Sequence, residues 1–404
     1  MISACLITKN EESWLGECLE HLKPIVSEFI VVDTGSTDRT VEIAREKGAR
    51  VSQIKWENDF SKARNISLEK ATQRWILIID PDERISGEEL SKLKQLTDAK
   101  DVIAYTLTTR NYSRNSAASG YKPCIGKYSE EKDYPGYFES PKIRLFQNIP
   151  TIRFVGSVHE LVESTVVGKI VNSDIPIHHY GSTPEMEAAK GKKNFYQNQG
   201  KKKVQENPSD WKSFFELGVE YLTGREYVKA YRQLERARDL KRNDPLILTN
   251  LGYAYMESNL LDKSEKVLQE CLQVDPLYHD ALLNLGVIEM RRGEWQRGIK
   301  IFDQVVKKHA FSFLAFRNRG LCLAHLKDYQ SAAASFEKAL AVFPQFTEAK
   351  IDLGVVCFAA GRPDLAKPVL EEALRAEPKS LRARSTLDDV YAALKHQSAI
   401  KTSL

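Results

Sequence analysis

The chain has 404 residues, 42% of them hydrophobic and 28% charged, with a formal net charge of +4. That length suits two or three domains, and that composition suits folded cores, which excludes a disordered or fibrous chain. The mild charge gives no reason to expect nucleic acid as a partner, and no run approaches the ~18–20 apolar residues of a membrane span.

MISACLITKNEE opens the chain and reads as a strand over Ile2–Ile7; charge arrives too soon for a signal peptide. Trp14, Leu15, Cys18, Leu19 and Leu22 then fall on one face of a helix between Asn10 and Leu22. Phe29–Val32 is a second strand ending at Asp33. After the Gly35-Ser36-Thr37 turn, Ser36 or Thr37 caps a helix that ends near Gly48. Arg50–Trp56 is a third strand, Ser61–Ala71 a third helix and Trp75–Ile79 a fourth strand. Ser86-Gly87-Glu88-Glu89 reads as a capping box opening another helix. The β-α-β-α-β-α-β order predicts an α/β domain, Rossmann-like, with a mostly parallel sheet and helices on both faces.

The second half repeats. Glycine recurs five times, at 218, 252, 286, 320 and 354, each 34 residues from the last. Twelve residues after each glycine stands a small residue: Ala230, Ser264, Gly298, Ala332 and Ala366. Sixteen after stands a large apolar one: Leu234, Leu268, Phe302, Phe336 and Leu370. This register resembles the tetratricopeptide repeat, an all-α solenoid of stacked helix pairs. The third repeat departs most, with Gly298 and Val305 where alanine is usual, which predicts looser packing there. The expected domains are 1–183, the α/β domain; 184–207, a basic helical linker; 208–380, five repeats; and 381–404, a capping helix and tail. Between Glu185 and Gln205 lie six lysines, read as a solvated linker or as a basic flank for an acidic acceptor or lipid surface. The six cysteines, at 5, 18, 124, 271, 322 and 357, form no C-x-x-C. Such scattered thiols read as core residues in a reducing compartment, so the expected setting is the cytoplasm.

Chemistry concentrates at RWILIIDPDERI, where an apolar strand runs into Asp80, Asp82 and Glu83. Ligands of open parallel sheets bind beyond the carboxyl ends of the strands, which is where Asp33 and this triplet fall. Asp-x-Asp spacing suits a hard divalent ion that keeps positions open for phosphate oxygens. The other reading is a polar turn in which Pro81 ends the strand and Asp82 or Glu83 caps the next helix.

Four segments together, L6-I-T-K-N-E-E, V31-V-D-T-G-S-T-D-R-T, D59-F-S-K-A-R-N and L77-I-I-D-P-D-E-R, resemble the nucleotide-binding half of GT-A, family 2 glycosyltransferases. K142-I-R-L-F-Q-N, F154-V-G-S-V-H-E and I177-H-H-Y-G extend the resemblance to the members with a C-terminal tetratricopeptide array, including bacterial flagellin and peptide glycosyltransferases. It spans roughly residues 1–183 and then the repeats. By that resemblance Asp33 contacts the uracil or ribose of a UDP-sugar, and Thr8, Asn10 and Glu11 line the same pocket. Arg64 lies against the nucleotide or its phosphates. Asp80 reaches the ribose, directly or through water, and Asp82 binds Mn²⁺ or Mg²⁺. A late histidine completes the metal site: His179 by the pattern, with His178 as its rival. Glu160 stands where inverting members carry their base, or else it positions His159. Glu139 and Asp133, in the Tyr-, Ser-, Gly- and Pro-rich stretch 111–140, are alternatives.

The resemblance thus implies metal-dependent, inverting sugar transfer from a UDP-sugar, with UDP-GlcNAc or UDP-glucose as the family's guesses. Sequence alone leaves retaining chemistry open. Five repeats favour a polypeptide acceptor, flagellin first, on Ser or Thr, or a cysteine-bearing peptide. They also allow a homodimer through the array. The competing readings are an envelope-polysaccharide enzyme and a non-catalytic adaptor.

Overall fold

A computed structural model describes residues 1–113, 121–156, 160–181 and 192–402. His159 and part of the lysine-rich segment lie outside the described residues. The chain divides into two compact units, Met1–Tyr196 and Gln197–Leu404.

The first unit begins with β1 (Ile2–Thr8), α1 (Leu15–Leu22), β2 (Glu28–Asp33), α2 (Thr40–Glu46), β3 (Arg50–Gln53), α3 (Phe60–Lys70) and β4 (Trp75–Ile78). It continues through β5 (Glu83–Arg84), α4 (Gly87–Leu96), β6 (Ala104–Ser113), β7 (Lys122–Pro123), β8 (Gly136–Gln147) and β9 (Ile170–His179). The strand order is β3-β2-β1-β4-β8-β6-β9-β5, with β7 on β8. The β3-β2-β1-β4 half is wholly parallel. Its central strands are near-continuous apolar runs because both of their faces are covered. Beyond β4 the sheet is mixed: β8 runs antiparallel to β4, β6 and β7, while β6 and β9 are parallel. Leu15, Cys18, Leu19 and Leu22 of α1 pack with Leu6, Val31 and Leu77 in one core under the sheet.

Two expected caps are not formed. Ser36 and Thr37 do not cap α2. Ser36 Oγ donates to Asp33, while Asp38 Oδ1 accepts the N–H of Thr40 at 3.0 Å. The Ser86–Glu89 box is also absent: the Glu89 N–H bonds the Ser86 carbonyl, and the Glu89 carboxylate turns to the Tyr128 hydroxyl (3.1 Å) and Lys92 (2.9 Å). In each place the side chain is drawn to another partner, Asp33 for Ser36 and Tyr128 for Glu89. Asp59 does cap α3, accepting from Lys62 N at 3.0 Å.

In the second unit the repeat glycines mark close helix crossings. A Cβ on Gly218, Gly252, Gly286, Gly320 or Gly354 would lie 2.7, 2.6, 2.4, 2.7 or 2.5 Å from Leu234, Leu268, Phe302, Phe336 or Leu370. Each glycine therefore receives the large residue sixteen positions on. The third repeat is not loosely packed: Phe302 and Val305 are fully buried, and Cys322 Sγ occupies the space beside Gly298. A helix over Lys192–Glu206 precedes the pairs, and Lys203 pairs with Glu216 at 2.6 Å. A helix over Leu381–Thr402 follows them, burying Ala383, Leu387 and Val390.

Candidate active site

The carboxyl ends of β1, β2 and β4 lie side by side, and Thr8 is in register with Asp33. Asp33 is fully buried. Its Oδ2 accepts the N–H groups of Gly35 and Ser36 at 3.1 Å each, and Thr8 Oγ1 donates to its Oδ1 at 3.4 Å. Asn10, exposed and in the left-handed region (φ 55°), accepts the Thr37 N–H at 2.8 Å and donates its own N–H to Ser36 Oγ at 2.8 Å. The Glu11 N–H bonds Thr40 Oγ1 at 2.7 Å. Thr8, Asp33 and Asn10 thus belong to one hydrogen-bonded rim through Ser36, and Glu11 is tied beside it to the start of α2.

The second group centres on Arg64, which α3 buries under Phe154, 5.5 Å from the ring centre. Its Nε donates to Glu160 Oε1 at 2.6 Å and its Nη2 to Asp80 Oδ1 at 3.0 Å. Burial works against charge on Asp80, but Arg64 and then Arg144 outweigh it and hold the carboxyl well below its usual range. Arg64 is likewise locked in its charged form: desolvation opposes the charge, and Asp80 and Glu160 more than offset that.

The third group pairs Asp82 with His179. The residues after the D-x-D do not open a helix. They form β5, whose Glu83 and Arg84 lie opposite His179 and His178 of β9. The Tyr180 N–H bonds the Asp82 carbonyl at 3.0 Å. This antiparallel return brings His179 Nε2 to 3.6 Å from Asp82 Oδ1. Asn111 orients the ring: its Nδ2 donates to the Phe138 carbonyl at 3.3 Å, which turns its Oδ1 toward His179 Nδ1 at 2.8 Å. Burial disfavours charge on His179, yet Asp82 outweighs it and raises the imidazole above its ordinary pKa.

Neighbouring strand residues face opposite ways, and this separates the two histidines. His178 is fully buried, with Nδ1 2.6 Å from the Tyr112 hydroxyl, and burial lowers its pKa to about 4. It is a core histidine.

A divalent ion fits the Asp82–His179 pair. One oxygen and one imidazole nitrogen converge, and the second nitrogen is held by a carboxamide, as metal-bound histidines require. Gly181 leaves the room: a Cβ there would lie 2.0 Å from Asp82 Oδ2 and 2.9 Å from His179 Nε2. Among the described residues no three His, Cys, Asp or Glu side chains converge on one point. Two protein ligands would therefore leave most of the coordination sphere to a diphosphate and water.

Glu83 takes no part in that pair. It is buried in β5, where its carboxylate accepts the Asp80 N–H at 2.8 Å and faces Arg144 at 2.7 Å. Burial pushes its pKa up, against the pull of Arg144. Glu139 pairs with Lys122 at 2.6 Å. Arg144, Asn111 and Gly181 are site residues that sequence reading did not single out. Plain alternation puts Lys142 and Arg144 on one face of β8, but the register with β6 shifts at Arg144, so the strand period alone did not give its place.

Residues 3–156 match the profile described as Glycosyl transferase family 2. An uncharacterized glycosyltransferase of Rickettsia felis is 31% identical over 204 residues, 48% of this chain and 67% of that protein. This chain belongs to glycosyl transferase family 2. The transferase domain of this family 2 glycosyltransferase is followed by tetratricopeptide matches over 249–312, 289–345 and 323–396. A "TPR repeat-containing protein" of Synechococcus elongatus is similar over both parts, 30% identical over 311 residues and 72% of each chain. The SPbeta prophage-derived glycosyltransferase SunS of Bacillus subtilis is 30% identical over 197 residues; this chain spans 42% of its length. Among the described residues no helix is long and apolar enough to cross a membrane.

Proposed function

We propose that this glycosyltransferase is metal-dependent and inverting, moving a sugar from a UDP-sugar to a polypeptide. The observation that carries the reading is the meeting of Asp82 and His179 beside the Arg64-clamped pair Asp80 and Glu160. A bound Mn²⁺ or Mg²⁺ would neutralise charge on the donor diphosphate. The chain's own residues do the rest. Asp33, Thr8, Asn10 and Glu11 form the rim for the uridine. Asp80, fixed by Arg64, faces the ribose. Glu160 keeps one carboxylate oxygen beyond the Arg64 bond to take the acceptor proton as the hydroxyl attacks the anomeric carbon. Holding donor and acceptor in that alignment supplies much of the acceleration.

Five stacked repeats make a long surface of the kind that grips polypeptides, so a protein acceptor is favoured, flagellin first, modified on Ser or Thr. The six cysteines are unpaired, in keeping with a reducing, cytoplasmic setting. The test is UDP release from a panel of nucleotide-sugars, with Mn²⁺ or EDTA, beside Asp82→Ala. Metal-dependent release from one donor, lost in the variant, supports the reading. A folded sample that binds and turns over no nucleotide-sugar overturns it in favour of the adaptor.

A further inference from the structure

The site holds four carboxylates, Asp80, Asp82, Glu83 and Glu160, and three permanent or near-permanent cations, Arg64, Arg144 and Lys142. Each arginine has its protein anion. Arg64 is divided between Asp80 and Glu160, and Arg144 is bound to Glu83 at 2.7 Å and to Thr109 Oγ1 at 3.3 Å. Lys142 differs. On β8 it lies opposite Leu107 of β6, two residues before Thr109, so its side chain leaves the sheet on the face where Thr109 meets Arg144. It is half-buried, and the charges acting on it are those of Arg144, Glu83, Asp80 and Glu160. Nevertheless its side chain makes no hydrogen bond or ion pair among the described residues.

That arrangement opposes the ordinary fate of a lysine. A lysine with nothing to hold extends its flexible stem and places its ammonium in water. One withdrawn into a site without a partner is disfavoured by desolvation and by the adjacent Arg144, and burial with that neighbour lowers its pKa. Such an ammonium is relieved only by an anion that arrives from outside. The carboxylates nearby are already committed: Glu83 to Arg144 and to the Asp80 N–H, Asp80 and Glu160 to Arg64.

We propose that Lys142 is a donor-binding residue whose ammonium pairs with the diphosphate of the nucleotide-sugar. This rests on the donor reading above and adds a contact to it. In the transfer, the acceptor oxygen bonds to the anomeric carbon and the acceptor proton goes to the base. The bond from that carbon to the phosphate oxygen breaks, and its electron pair stays on the phosphate. The departing nucleoside diphosphate therefore gains one negative charge, which Lys142, uncommitted among the described residues, can meet.

The test is calorimetric binding of UDP and of uridine to the full chain, each with Mn²⁺ and with EDTA, for wild type, Lys142→Met and Lys142→Arg. A charge-assisted contact to phosphate predicts about 10- to 100-fold weaker UDP binding in Lys142→Met, with uridine affinity unchanged and the arginine variant restored to within a few fold. The deficit persists in EDTA, which separates Lys142 from the metal ligands. Retained uridine binding reports a folded pocket. Lys142→Met that binds UDP as tightly as wild type overturns the proposal and leaves the donor reading standing. A wild-type protein that binds neither UDP nor uridine overturns the donor reading, and this one with it.

Discussion

Replacing Arg64 by methionine tests whether the site is built around a buried clamp. The guanidinium sits 2.6 Å from Glu160 and 3.0 Å from Asp80, and its side chain is 9% exposed. Methionine keeps the packing against Phe154 and removes the charge. Two carboxylates are then left together, Glu160 at 12% and Asp80 at 28% side-chain exposure. Removing one partner of a buried pair costs about 3–5 kcal/mol. Asp80 keeps Arg144 at 3.9 Å and some water, so the lower end, about 3 kcal/mol, is expected. For a unit of this size that is about 6–12 °C in the melting temperature of residues 1–196, read by scanning calorimetry of the full chain. The sign with pH is fixed as well. Wild-type Asp80 is held below its usual pKa, so its contribution is complete above the unfolded value, near 3.8, and is lost as pH falls through the folded one. Arg64→Met lacks that contribution. Its deficit is therefore largest at neutral pH and begins to close as pH falls below about 4, through the protonation of Asp80. A deficit under 1 kcal/mol at pH 7, or one that does not change with pH, would show that Arg64 is not the clamp described.

Three further outcomes are expected. Gly181→Ala drives a methyl to 2.0 Å from Asp82 Oδ2 and should weaken Mn²⁺ binding, measured by calorimetry with UDP present, by about 10-fold or more; unchanged affinity would remove Asp82 from the ligand set. Because Asp82 raises the His179 pKa, a metal must displace a proton there, so Mn²⁺ affinity should climb with pH by up to about tenfold per unit below that pKa and then level off. A titration showing the same slope in His179→Ala would refute this. In the repeats, Gly286→Ala places a carbon 2.4 Å from Phe302 and should destabilise the array by about 1–3 kcal/mol in chemical unfolding, with partial recovery in the double variant carrying Phe302→Leu. No recovery would mean the close approach is not the cause.

The elements that periodicity specifies were legible from the residues alone. The apolar runs of β1, β2 and β4, the helix stripe of α1 and the 34-residue register each encode burial on a fixed period, and burial dominates the free energy of such elements. The Asp-x-Asp at the end of β4 was legible for the same reason, because topology alone sends carboxyl-end residues to the crevice. What joins that motif to its partners was not. Asp82 meets His179 only because β5 returns antiparallel to β9, 96 residues separate Arg64 from Glu160, and the choice between His178 and His179 rests on which face of β9 looks inward. Glu83 stands beside two aspartates in the sequence yet serves Arg144, and Ser86 and Ser36 have cap-like contexts yet form no caps. Local sequence sets which side chains each strand and helix offers. Long-range pairing, whose energy depends on distances the sequence does not encode locally, decides which of them meet.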